Sequence, residues 1–80
     1  MSARNNLEIN LRRLESELRN LKQALEDHSI DGDERRRLLY AIREVEREIL
    51  STLRELRDLT ELENERMQRA IEAIVRMKNK

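Results

Sequence analysis

Apolar residues in the first third of the chain keep a strict rhythm. Leu7, Leu11, Leu14, Leu18, Leu21 and Leu25 follow one another at alternating intervals of four and three, and His28 falls on the next beat. A mean interval of about 3.5 residues holds one leucine seam on a single side of a helix, the repeat of a coiled coil. So narrow a stripe has to be buried against another helix. The pattern predicts a first helix over about residues 6–27, with Asn5 or Asn6 as its N-cap, behind a polar, frayed lead-in from Met1 to Asn6. Its outer face carries Glu8–Arg12 and Glu15–Arg19, four apart with the acid first. Such pairs keep that face wet and add only about a few tenths of a kcal/mol each.

The rhythm breaks between His28 and Glu34. This stretch holds the chain's single glycine, Gly32, together with Ser29, Asp31 and Asp33, the residues that turns favour. Asp31 followed three residues later by Glu34 is an aspartate form of the capping box, and Asp33 and Glu34 suit the positive end of a helix dipole. Ile30, the apolar residue of the loop, is expected to fold inward at the closed end. So short a connection makes the two helices antiparallel neighbours.

Past the turn, Leu38, Leu39, Ile42, Val45, Ile49, Leu53 and Leu56 form a broader stripe. Folding at Ile30 brings Leu25 near Leu38, Leu18 near Val45, Leu14 near Ile49 and Leu7 near Leu56, which uses up the first helix. If the second helix continues, residues 59–80 overhang by about 30 Å at about 1.5 Å per residue. Thr60 and Glu63 make another capping-box pattern, and the polar run from Glu63 to Arg66 interrupts the stripe, so a third helix folding back into a bundle is the alternative. The absence of glycine and proline after Gly32 favours one long helix over about residues 33–78. The expected fold is all-α: a single helical-hairpin domain, residues 1–80, with coiled-coil-like packing and residues 57–80 as an overhang used for self-association.

The overhang carries the functional expectation. Met67, Ala70, Ile71, Ile74, Val75 and Met77 resume an apolar face after the polar gap. Asp58, Glu61, Glu63 and Glu65 are followed by Arg66, Arg69, Arg76, Lys78 and Lys80, with only Glu72 among the latter. Two copies laid antiparallel and crossing near Glu65 place acidic halves beside basic halves, Leu59 near Ile71 and Leu56 near Ile74. The candidate self-association residues are therefore Leu56, Leu59, Leu62, Met67, Ile71 and Ile74, with Glu63, Glu65, Arg66 and Arg69 setting register. The expected partner is a second copy of the chain, making an antiparallel homodimer, together with a further protein of unknown identity.

Composition narrows the alternatives. Charged residues make up 42% of the 80, but the apolar ones are spaced helically, so the chain reads as ordered rather than disordered. The 17 basic and 17 acidic side chains cancel, which argues against generic nucleic-acid or membrane binding. Arginine heavily outnumbers lysine, and its fork pairs well with carboxylates. With no cysteine there is no disulfide, thiolate catalyst or zinc–thiolate site. No apolar run approaches the roughly 18 residues that span a bilayer, and no signal peptide is visible, so a cytoplasmic location is expected. The segment from Met67 to Met77 lacks the tryptophan or phenylalanine of a membrane-surface helix.

Three further features bear on chemistry. His28 sits among Asp27, Asp31, Asp33 and Glu34, but the spacing does not match a calcium loop and reads as turn and cap. No metal or cofactor is expected. Arg35, Arg36 and Arg37 oppose the dipole of a first helical turn. They are candidates for contact with nucleic acid or an acidic partner, joined by Arg12 and Arg13, although nearby acids and the lack of stacking aromatics favour a solvated face. Tyr40 lies off the stripe; it is a candidate partner contact, although a tyrosine so placed more often lays its ring over the seam's edge. No nucleophile–base pair can be assembled, so no enzymatic activity is expected. The expected function is a non-enzymatic helical interaction module that self-associates and serves as adaptor, scaffold or regulatory partner. The alternative is an RNA- or DNA-binding regulator built as a dimer of hairpins.

Overall fold

A computed structural model describes residues 2–79, and within them the chain is two helices joined by a short turn. The first, α1, spans Ala3–Leu25, and the second, α2, spans Gly32–Lys78. Met1 of the expected lead-in and Lys80 of the basic run lie outside the described residues.

Helix α1 starts earlier than its leucine rhythm suggests. Ser2 is extended, and its hydroxyl accepts the Asn5 amide at 3.2 Å, while its carbonyl accepts the Asn6 amide at 3.2 Å. A serine in that position satisfies a first-turn amide that would otherwise lack a partner. Asn5 and Asn6 are therefore inside the helix, and neither is its cap. The C-terminal end closes at Leu25, where the Glu26 and Asp27 amides donate to the Gln23 and Ala24 carbonyls at 3.1 and 3.3 Å. His28 consequently falls in the turn and is exposed rather than on the seam. The heptad count reached it, but the helix had already ended.

Side chains of the turn bond to its own backbone. The Asp27 carboxylate accepts the Ser29 hydroxyl at 2.7 Å and the Ser29 amide at 2.9 Å, a local ring typical of aspartate in turns. The Ser29 hydroxyl, then its amide, hold the Asp27 carboxyl below the usual carboxylate range. Asp31 caps α2 as its spacing predicts, accepting the Glu34 amide at 2.8 Å. Ile30 is half-buried at this closed end. Gly32 is the first residue of α2 and has no positive φ, so it belongs to the helix rather than to the turn proper.

Helix α2 then runs unbroken to Lys78, and among the described residues no third helix folds back. The pattern at Thr60 does not cap a new helix because its members are engaged elsewhere. The Thr60 hydroxyl donates to the Leu56 carbonyl one turn behind it, at 2.9 Å, and Glu63 turns toward α1.

The helices pack side by side in a rod of 75 × 18 × 16 Å. Leu14 is the most deeply buried residue, at 1% exposure, with Ile42 and Val45 beside the same seam. Leu7, Leu11, Leu18, Leu21, Leu25, Leu38, Ile49, Leu56 and Leu59 are half-buried. Leu39 and Leu53, which the apolar pattern assigns to the stripe, are exposed. Intervals of four and three running from Leu38 through Ile42, Val45 and Ile49 arrive at Thr52, not Leu53, and Thr52 is only 5% exposed. Its hydroxyl donates to the Glu48 carbonyl at 2.9 Å and accepts from the Asn10 amide group at 3.4 Å. The seam thus contains a polar layer whose buried hydroxyl is satisfied, as burial requires. Asn10 opposite Thr52 also falls in the register expected from folding at Ile30.

A candidate interaction surface beyond the end of the first helix

The first turn of α1 marks where its cover of α2 stops. The Arg4 guanidinium crosses to α2, donating to the Thr60 hydroxyl at 3.0 Å and to the Glu63 carboxylate at 2.8 Å. Because α1 begins at Ala3, cover extends to Glu63, and Leu59 is half-buried where an overhang was expected to begin. The uncovered segment is therefore Asn64–Lys78, about 22 Å of helix at about 1.5 Å per residue.

Every described residue from Glu61 onward is exposed. Leu62, Met67, Ile71, Ile74, Val75 and Met77 range from 42% to 74% exposed. At about 3.6 residues per turn, Ile74 stands about five whole turns beyond Leu56, and Met67 lies within about 20° of the same line. The seam that α1 covers is thus continued in apolar residues after α1 has ended. The residues proposed from sequence for self-association divide accordingly. Leu56 and Leu59 are half-buried in the hairpin, and Glu63 is held by Arg4. Leu62, Glu65, Arg66, Met67, Arg69, Ile71 and Ile74 stand in the open, and none of Glu65, Arg66 and Arg69 closes an ion pair among the described residues.

The arginine run lies at the opposite end of the molecule, at the start of α2. Arg36 approaches Asp33 at 3.7 Å and Arg37 approaches Glu34 at 4.0 Å, all well exposed. Arg12 and Arg13 do not join this patch. They sit about 20 Å along α1 from the turn, and Arg13 donates to the Asn10 side chain at 2.8 Å. Tyr40 is 68% exposed, so its ring does not cover the seam as expected. On the outer faces, Arg47 pairs with Glu44 at 3.1 Å, whereas the expected Glu8–Arg12 and Glu15–Arg19 pairs do not close. Around His28, no group of three or more histidine, cysteine or acidic side chains that could hold a metal ion occurs among the described residues. No helix among them is long and apolar enough to cross a membrane.

Three contributors escaped the apolar pattern: Arg4, Asn10 and Thr52. The signal for the last two was present, since the fold at Ile30 sets one polar residue opposite the other within the seam. Arg4 lay outside the predicted helix and offered none. Compared with protein families, curated proteins and solved structures, the chain matches none of them.

Proposed function

We propose that this chain is a non-enzymatic helical interaction module that self-associates through the far part of α2 and works as an adaptor, scaffold or regulatory partner of another protein. One observation carries the reading: the apolar face of α2 continues past Glu63 with no helix over it. Contiguous exposed apolar surface of this kind marks an interaction site. The charges around it favour a second copy laid antiparallel, because the acidic stretch from Asp58 to Glu65 precedes a mainly basic one from Arg66 to Lys78. Such a two-fold contact is self-complementary by construction. The helices would meet in coiled-coil fashion, with affinity from leucine, isoleucine and methionine and register from the Glu/Arg edges. The run Arg35–Arg37 lends little to a nucleic-acid reading, since Asp33 and Glu34 stand against it.

Sedimentation velocity at micromolar concentration tests the proposal. The parent chain is expected to run as a dimer, and Ile71→Glu combined with Ile74→Glu as a monomer that keeps its helical circular dichroism. A monomeric parent across that range would remove the proposal.

A further inference from the structure

The face covered by α1 is not the only apolar one on α2. Leu50 and Leu53 are about half exposed, although Ile49 and Thr52 beside them are half-buried and buried. Both stand about 60–120° round the helix from Leu56, on the flank of the seam. Ile71 follows about five whole turns after Leu53, on the same line, and Val75 lies one turn further. Leu50 and Leu53 beside α1, and Ile71 and Val75 on the overhang, therefore form two apolar pairs on one flank, with Arg57, Thr60, Asn64 and Gln68 on the same line between them.

This flank gives a second copy more room than the seam does. On the seam, α1 blocks the way up to Glu63, where Arg4 is anchored, so only the last about 22 Å of each α2 could overlap. No such stop exists on the flank. We infer, resting on the self-association proposed above, that the second copy lies antiparallel along the flank and crosses near Leu62 and Glu63. The partner's Val75 and the partner's Ile71 then sit against Leu50 and Leu53, and the overlap runs from Glu46 to Lys78.

Charge selects this register. The same crossing sets Glu46 beside the partner's Lys78 and Arg54 beside the partner's Glu72, and the two-fold axis repeats both pairs. Sliding by one turn takes Arg54 off the partner's Glu72, toward the partner's Gln68 and the partner's Arg69 in one direction or the partner's Val75 and the partner's Arg76 in the other. The crossing lies two or three residues before Glu65, where sequence alone put it, because Leu56 and Leu59 are already half-buried against α1. Two contacts oppose the arrangement: Glu61 comes beside the partner's Glu65 at the wet rim, and Arg57 faces the partner's Gln68 between the two apolar pairs.

Single cysteines test it, since the chain has none of its own. Leu50→Cys mixed with Val75→Cys is expected to form an intersubunit disulfide under mild oxidation, and Ile71→Cys alone is not. Arg54→Glu should weaken the dimer about three- to tenfold, and adding Glu72→Arg should restore it. Glu61→Lys should tighten it. All of these positions are exposed, so the hairpin's helicity should persist in each variant. A dimer in which Ile71→Cys links to itself and the mixed pair does not would overturn the flank register while leaving self-association standing. A parent chain that is monomeric throughout would overturn both.

Discussion

The guanidinium of Arg4 and the carboxylate of Glu63, 59 positions apart in sequence, meet at 2.8 Å and close the open end of the hairpin. With side chains 33% and 49% exposed, the pair is well solvated, so its value lies in pinning the first turn of α1 more than in overall stability. Arg4→Ala is expected to cost under about 1 kcal/mol in urea unfolding. It should nevertheless speed amide exchange over Leu7 to Leu11 relative to Leu18 to Leu25. Equal exchange in parent and variant would show that the pair pins nothing.

Leu14 is the deepest side chain of a thin core. Leu14→Ala should remove about 2–5 kcal/mol, a large share of what so small a domain commands, and lower the denaturation midpoint steeply. Ile9→Ala, on the exposed outer face of the same helix, should change stability by no more than about 0.5 kcal/mol. Chemical denaturation of the two variants separates seam from surface.

Asn10 and Thr52 interrupt the apolar seam with a hydrogen bond. Thr52→Val keeps the shape but leaves the Asn10 amide without that partner, at a cost of about 1 kcal/mol. Replacing both, Asn10→Leu with Thr52→Val, should recover that loss or exceed it, because a polar layer trades stability for a defined register. The double variant is therefore expected to melt higher and to populate more than one helix alignment, seen as extra cross-peaks in its amide spectrum.

Gly32 offers a simple gain. It has helical rather than positive φ, and an added Cβ would meet nothing within 4 Å. Gly32→Ala should stabilise the hairpin by about 0.5–1 kcal/mol in thermal or urea unfolding. A loss would mean that the turn needs freedom the helical geometry does not reveal.

Asp27 gives the turn a pH dependence of known sign. Its carboxyl is held below its ordinary range by the Ser29 hydroxyl and amide. A lowered folded-state pKa contributes stability that is present above the unfolded value and lost as pH falls through the folded one. Ser29→Ala should move the Asp27 titration, followed by NMR, back up toward the ordinary range. Because the group is fully exposed, stability at neutral pH should barely change.

The sequence makes most of the hairpin legible, since its elements are specified locally. Six leucines at intervals of four and three demand a helix with one buried side, and Asp31 three residues before Glu34 announces the start of the second. The same local logic misjudged Asn5, Asn6 and His28, where a heptad count says which side a residue faces but not where the helix ends. It also favours Leu53 over Thr52, because apolar character singles out the leucine whereas register buries the threonine. At the candidate surface, Met67, Ile71 and Ile74 could be read as apolar positions after a polar gap.

What the sequence by itself determined is the pair of helices, the turn between them and the mismatch in their lengths, because periodicity, capping and breakers act over a few residues. What only the tertiary structure decided is how that mismatch is distributed. Arg4 reaching Glu63 sets where cover ends, Thr52 meeting Asn10 makes one seam layer polar, and Leu50 and Leu53 are left on an open flank. Each of these depends on residues brought together from opposite ends of the chain, and a spacing rule confined to one helix carries no information about what lies across from it.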